Sequence, residues 1–194
     1  MAEVLLFHHA LGLTPGCLSF ADRLRSAGHV VHTPDLYDGK TFTDLTDGVH
    51  HAEEAGFGTI IERGRRAADS LPNGLVYAGF SLGVLPAQML AQTRPGARGA
   101  LLFHSCVPTS EFGVPWPQGV AVQIHMMDAD TWVLPPNQDL EAARQLSETV
   151  ENAQLFLYPG NRHLFADSSV QDYDEKAAAQ ATERVLSFLQ AVSA

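Results

Sequence analysis

The sequence is poor in cysteine and in basic residues. Its two cysteines, Cys17 and Cys106, can form at most one disulfide, which excludes a scaffold held together by several disulfide bonds. Only 12 Lys and Arg residues stand against 22 Asp and Glu residues, which gives a formal net charge of −10. A negatively charged surface repels nucleic acid and anionic lipid, so we expect neither as a partner.

The sequence also lacks long apolar runs, repeats and linkers. No stretch approaches the roughly 18 apolar residues that cross a membrane. The N-terminal segment MAEVLLFHHALG has no basic start, and its apolar run is too short for a secretory signal. We therefore expect a cytoplasmic protein that does not associate with membranes. Because no low-complexity tract divides the chain, we expect one domain over residues 1–194.

Short apolar runs alternate with helix-like segments along the chain. The runs are nearly continuous, which is typical of strands buried on both faces of a parallel sheet. The predicted strands are 4–9, 29–37, 74–80, 97–105, 119–127 and 153–160. The predicted helices are 20–28, 43–55, 58–71, 82–93, 137–150 and 173–192. The pattern indicates an α/β protein with a mostly parallel sheet of about six strands and helices on both faces.

A Gly-x-Ser-x-Gly motif lies where the third predicted strand meets a predicted helix. The stretch reads YAGFSLGV and centres on Ser81 between Gly79 and Gly83. A strand-to-helix turn that presents a nucleophilic serine needs glycines on both sides, since a Cβ would clash with the crowded chain. The N–H of Leu82, close to the helix start, is suited to stabilising an oxyanion. The alternative is a serine in an ordinary tight turn.

A serine nucleophile needs a histidine base and an acid that orients it. In folds of this class the acid and then the histidine follow the serine, each in a loop after a later strand. The fifth predicted strand is followed by Asp128 and Asp130, and the sixth by His163. The carboxyl ends of parallel strands share one edge of the sheet, so these loops should meet. The residues alone do not decide between the two aspartates.

Other readings of the reactive residues are weaker. Cys106, beside His104, could be a nucleophile but lacks the flanking glycines. Adjacent histidines, at 8–9 and 50–51, do not converge on one metal ion, because neighbouring residues in a strand point to opposite faces. A scaffold that binds a small ligand without turnover is the alternative from another functional class, although it needs no complete set of serine, acid and histidine.

These stretches resemble the dienelactone hydrolase family of α/β-hydrolases, and more narrowly a short branch of it. The likeness covers roughly residues 3–190. The segments that resemble the family are FHHALGLTPG, TPDLYDG, YAGFSLGV, QIHMMDADTWV and YPGNRHLFADSS. The resemblance implies the α/β-hydrolase fold without a large lid, hydrolysis of a small-molecule ester or lactone, and no cofactor or metal.

The resemblance also assigns roles. The family nucleophile falls on Ser81 and the base on His163. Counting back from Trp132 and Val133, the family acid falls on Asp130. The two oxyanion-binding N–H groups fall on Leu82 and on Ala10, in the loop after the first strand.

The chain departs from the family pattern at three positions. The well-known members carry cysteine where this chain has Ser81. A glutamate that contacts the resting thiol falls on His9, which we expect either to line the pocket or to be a hydrogen-bonded loop residue. An arginine that grips the substrate carboxylate falls on Asp167, so an anionic lactone is a poor candidate substrate. Arg162 and Lys40 are possible replacements for that arginine.

Aromatic residues near the predicted strand ends are candidates for an apolar pocket lining, although such residues also form protein cores. Together with His9, the candidates are Phe80, Trp116, Trp132 and Phe165. The sequence carries no indication of an oligomeric state.

Overall fold

The computed structural model describes residues 1–193, which form a parallel sheet covered by helices. The strands are β1 Glu3–Phe7, β2 Val30–His32, β3 Val76–Phe80, β4 Gly99–Phe103, β5 Ala121–Met127 and β6 Ala153–Tyr158. The helices are α1 Pro15–Ser26, α2 Leu45–Ala55, α3 Phe57–Asp69, α4 Val84–Thr93, α5 Asp139–Thr149 and α6 Glu175–Ala191. Short 3₁₀ turns lie at Ser81–Gly83 and Thr109–Phe112.

The sheet has the strand order β2-β1-β3-β4-β5-β6, and every pair is parallel. Alternate side chains of β1, β3, β4 and β5 enter two separate apolar cores. Leu5 and Phe7 of β1 pack with α2 to α5 on one face, whereas Val4 and Leu6 pack with α1 and α6 on the other. Both faces of β3 and β4 are buried, which explains their continuous apolar sequences. The predicted α/β class and six-stranded sheet are confirmed.

Among the element boundaries that differ from the sequence prediction, two have an identifiable reason. β2 is only Val30–His32, since Pro34 lacks the N–H that a continued ladder needs. α1 begins at Pro15, five residues before the predicted start at residue 20. Its N-cap is Thr14, whose side chain accepts a hydrogen bond from the Cys17 N–H, and proline is favoured in the first turn because its missing N–H would be unpaired there.

The turn between β3 and α4 is built on close backbone contacts. Ser81 has a φ of +48°, a left-handed conformation that is uncommon for a residue with a side chain. A Cβ on Gly79 would run into the carbonyl of Gly83. A Cβ on Gly83 would lie 2.5 Å from the Phe7 carbonyl oxygen and 2.6 Å from that of His8. Gly79 is therefore required for the serine turn to close, and Gly83 for the turn to pack against the end of β1.

A buried polar network joins the loop after β1 to the loop after β6. His9 Nε2 lies 2.6 Å from Asp167 Oδ2, and both side chains are essentially inaccessible to solvent. The Thr14 hydroxyl donates to the same oxygen at 2.5 Å, and Ser169 donates its N–H and its hydroxyl to Oδ1. The Leu11 N–H donates to His9 Nδ1 at 3.2 Å, so Nε2 carries the proton that faces the carboxylate.

The network keeps Asp167 ionised. Burial by itself raises the pKa of a carboxyl group, but hydrogen bonds from His9, Ser169 and Thr14 outweigh that effect and hold the pKa of Asp167 well below its usual value. The loop that contains Ala10 is thereby fixed relative to the loop that contains His163.

We predict that Gly83→Ala destabilises the fold by about 3 kcal/mol, the upper end of typical overpacking costs, because a methyl group there overlaps two carbonyl oxygens. Gly58→Ala is the matched control: Gly58 lies in α3 with open space around its Cβ position, and alanine there should stabilise by about 0.5–1 kcal/mol. Urea unfolding of both variants checks the prediction, and equal midpoints would contradict it.

We predict that Asp167→Asn costs about 3 kcal/mol at neutral pH, since it removes one partner of a buried, charge-assisted network. A carboxylate with a lowered folded-state pKa contributes stability that is present above its unfolded pKa of about 4 and is lost as the pH falls through the folded value. The stability difference between the parent and the variant should therefore shrink below about pH 4.

Urea unfolding at several pH values measures that difference. Asp22→Asn serves as the control, because Asp22 forms only an exposed ion pair with Arg25, of a kind worth at most about 1 kcal/mol. A pH-independent difference between the parent and Asp167→Asn would show that the ionised form of Asp167 does not stabilise the fold.

Candidate active site

Ser81, His163 and Asp130 form a continuous chain of hydrogen bonds at the carboxyl edge of the sheet. Ser81 Oγ lies 2.8 Å from His163 Nε2, and His163 Nδ1 lies 2.7 Å from Asp130 Oδ2. The three residues come from the loops after β3, β6 and β5. The carboxylate accepts from Nδ1–H, which leaves the Nε2 lone pair free to accept the serine proton.

The loop after β5 orients Asp130 and turns Asp128 elsewhere. Asp130 is almost fully buried, and its second oxygen accepts from the Trp132 N–H at 2.9 Å. Asp128 is exposed, and its carboxylate accepts from the Gly160 N–H, which ties the end of β5 to the turn after β6. Of the two aspartates, only Asp130 contacts the histidine.

A cavity of about 200 Å³ opens beside the serine. Ala10 and Leu82 line it, from the loop after β1 and from the turn that follows Ser81. The Leu82 N–H belongs to the start of the 3₁₀ turn, where an amide has no partner within the helix. The Ala10 N–H donates to no other group within residues 1–193. Both amides are thus available to an oxygen atom bound near Ser81.

A larger cavity of about 500 Å³ adjoins the first. Phe57, Leu85 and Asp139 line both, so the two spaces form one connected groove. The rest of the larger cavity is mainly apolar: Ile61, Cys106, Val107, Pro108, Glu111, Phe112 and Gln138. The groove is large enough for a small molecule with an apolar body.

Of the five residues predicted to line the pocket, only Trp132 does so. Phe80 and Phe165 are completely buried in the aromatic core, because Phe80 precedes the turn and still belongs to the sheet. Trp116 donates its ring N–H to the Val120 carbonyl, away from Ser81. His9 is engaged with Asp167 beneath the loop. For these four residues the predicted pocket role does not agree with their positions.

The residues considered in connection with a substrate carboxylate also lie outside the groove. Asp167 is enclosed in the network with His9 and does not line either cavity. Arg162 donates to the Tyr173 carbonyl and lies 4.0 Å from Asp174. Lys40 lines neither cavity. The groove therefore has no arginine or lysine among its lining residues within residues 1–193.

Sequence reasoning missed His104 and Asp139. His104 follows β4, lines the Ser81 cavity and has a φ of +67°. Neither of its buried ring nitrogens has a hydrogen-bond partner within residues 1–193. Burial, and then the nearby His163, lower the pKa of His104 well below its usual value, so the ring is neutral.

Asp139 is the first residue of α5. No sequence motif distinguishes it from other acidic residues in the first turn of a helix.

The remaining reactive groups are enclosed. Burial and then Asp139 raise the pKa of the Cys106 thiol, which disfavours the thiolate that a cysteine nucleophile requires. His9, Cys17 and Asp167 are the one group of possible metal ligands within residues 1–193, and their polar atoms already bond to one another and to Thr14 and Ser169. His8 is fixed by the His9 carbonyl and the Leu36 N–H.

Comparison with solved structures shows the same fold in several hydrolases. A promiscuous dienelactone hydrolase-like phosphotriesterase from metagenomic libraries superposes with a TM-score of 0.77 at 18% identity, over 99% of this chain and 87% of that one. The dienelactone hydrolase of Anabaena variabilis gives a TM-score of 0.70 at 16% identity, over 98% and 86%. A cold-adapted esterase from an Arctic intertidal metagenomic library gives 0.68 at 17%, over 96% and 82%.

Identities this low establish the fold alone, and no curated protein matches the sequence. No helix within residues 1–193 has the length and apolar character needed to cross a membrane. The model of the dienelactone hydrolase family matches residues 1–193, which is nearly the whole chain. The chain therefore belongs to the dienelactone hydrolase family, and it is a hydrolase with the α/β-hydrolase fold.

Proposed function

We propose that the protein hydrolyses small carboxylic esters or lactones through an acyl-enzyme on Ser81. The observation that carries this proposal is the unbroken hydrogen-bond chain from Ser81 Oγ through the His163 ring to Asp130. A serine hydroxyl becomes an effective nucleophile when a positioned base accepts its proton. A buried carboxylate on the far side of the ring stabilises the imidazolium that forms.

The reaction proceeds in two halves. Ser81 Oγ attacks the carbonyl carbon, and its proton passes to His163 Nε2. The carbonyl oxygen becomes an anion and accepts hydrogen bonds from the N–H groups of Ala10 and Leu82. His163 then gives the proton to the leaving alcohol. A water molecule, deprotonated by the same nitrogen, attacks the acyl carbon. The bond from Ser81 Oγ to that carbon then breaks, His163 returns the proton to Oγ, and the acid is released.

The strained serine turn contributes to this arrangement. At a φ of +48° the Ser81 backbone lifts the hydroxyl out of the sheet edge and into the cavity. The Leu82 N–H, one residue later, lies at the start of a helical segment whose dipole favours negative charge. A substrate carbonyl oxygen in the cavity would thus be close to the nucleophile and to the oxyanion donors at once.

We expect one fluorophosphonate molecule to attach to the parent protein, because the reagent reports an activated serine and requires no knowledge of the substrate. Ser81→Ala removes the attacked atom, and His163→Ala removes its base, so both variants should remain unlabelled. Intact mass spectrometry measures the adduct. Ser105 also lines the cavity, so Ser105→Ala controls for labelling at the wrong serine. The Ser105→Ala variant should still be labelled.

A parent protein that gains no adduct would contradict an activated Ser81. That result would favour the other functional class, a hydrolase-like scaffold that binds a small ligand without turnover.

We expect Asp130→Asn to lower kcat by about 10³- to 10⁴-fold, since an amide at this position favours the wrong ring tautomer. Asp128→Asn is the matched control from the same loop, and its kcat should stay within about threefold, because its carboxylate bonds only to the Gly160 N–H and not to the ring. Steady-state hydrolysis of a p-nitrophenyl ester measures both. The reverse ranking would move the acid role to Asp128.

A further inference from the structure

The groove beside Ser81 carries two acidic side chains, and its basic side chains are the histidines at 104 and 163. Asp139 lines both of its cavities and Glu111 lines the larger one. No lysine or arginine of residues 1–193 lines either space. An anionic substrate would meet repulsion from the two carboxylates, whereas a cationic one would meet attraction.

One carboxylate oxygen of Asp139 accepts hydrogen bonds from the protein, and the other does not. Oδ1 accepts from the Ser105 hydroxyl at 2.5 Å and from the Cys106 N–H at 3.3 Å. Oδ2 accepts no hydrogen bond from another residue within 1–193, and it is not one of their fully buried unpaired atoms, so it keeps some exposure. Burial raises the pKa of Asp139, despite the hydrogen bonds from Ser105 and Cys106 and the nearby His163.

Exposed aromatic rings surround the same space. Phe57 is 42% exposed and lines both cavities, and Trp132 is 39% exposed and lines the one at Ser81. Phe112 adds a third ring in the larger cavity. The face of an aromatic ring attracts a cation, and tryptophan does so most strongly. Rings together with a carboxylate are the usual surroundings of a bound ammonium group.

His104 lines the Ser81 cavity without offsetting the negative charge of the groove. Its ring is buried and neutral, and neither ring nitrogen has a hydrogen-bond partner within residues 1–193. A neutral ring at this position does not repel an approaching cation.

We propose that the natural substrate is an ester that carries a cationic ammonium group, and that Asp139 is the residue that selects for it. The apolar walls of the groove hold the body of the molecule, and the aromatic rings and Asp139 hold the ammonium. The reaction is unchanged: water cleaves the ester into acid and alcohol, and the ammonium stays intact. This inference rests on the ester hydrolase activity proposed above.

The test compares two esters of the same shape and different charge. Butyrylcholine carries a trimethylammonium group, and 3,3-dimethylbutyl butyrate has carbon in place of that nitrogen. The parent protein should show a kcat/KM ratio of about 10 to 100 in favour of the cation, as expected for a quaternary ammonium held by aromatic ring faces and a nearby carboxylate. Added salt should lower the ratio through screening.

Substitutions test which acidic residue is responsible for the preference for the cationic ester. In Asp139→Asn the ratio should fall to about one to three, and Glu111→Gln, which is exposed, should lower it less. Glu141→Gln is the matched control: this acid lies in the first turn of the same helix, is exposed and lines neither cavity, so the ratio should not change. The ratio compares two substrates on one variant, so a general loss of folded protein does not affect it.

Labelling of Ser81 separates the two proposals. If Ser81 is labelled and both esters are hydrolysed with a parent ratio near one, the ammonium proposal is wrong and the hydrolase proposal stands. A preference that persists in Asp139→Asn would overturn the role of that residue. If neither labelling nor hydrolysis occurs, both proposals fail.

A second readout does not depend on turnover. Choline should protect Ser81 from the fluorophosphonate at a lower concentration than 3,3-dimethylbutanol. In Asp139→Asn the two alcohols should protect at similar concentrations. Equal protection by the two alcohols in the parent protein would contradict the ammonium proposal.

Discussion

The packing of the serine turn against the end of β1 is the constraint on which the rest of the site depends. Ser81 adopts a left-handed backbone conformation, and Gly83 lies against the Phe7 and His8 carbonyls without room for a side chain. This contact sets the distance between the turn and the loop that carries Ala10. The proposed nucleophile and both proposed oxyanion donors are therefore positioned by one close approach of two backbone segments, and the surrounding helices hold that approach in place.

A second constraint fixes the remaining loop. The buried carboxylate of Asp167 bonds to His9 and Thr14 from the β1 side and to Ser169 on its own side. The loop with His163 cannot shift without breaking these bonds, which keeps the ring within reach of Ser81. The position where the family resemblance implies a substrate-binding arginine holds Asp167 here, and Asp167 serves the architecture. In the proposal made above, the charge that faces the substrate comes from Asp139, on a different element and with the opposite sign.

Much of the architecture was predictable because it depends on local patterns. Continuous apolar runs mark strands with two buried faces, and all six occur near their predicted positions. The start of α1 was missed, since the capping by Thr14 and Pro15 looked like part of a loop. The burial of the aromatic residues was harder to predict. Phe80 ends a central strand and is enclosed by the neighbouring strands and a helix layer, whereas Phe165 lies in the loop after β6 and packs on Tyr158 and His104.

The sequence by itself determined the fold class, the strand-to-helix serine turn and the order of serine, acid and histidine, because these follow from periodicity, glycine sterics and chain order. The residues alone left Asp128 and Asp130 open, the resemblance to the family favoured Asp130, and the structure places Asp130 against His163. Only the tertiary structure decided that Asp167 is enclosed and that Asp139 and His104 line the groove. These outcomes depend on which side chains of distant loops face the same space. Distances across a sheet edge are set by packing, and no local pattern in the chain encodes them.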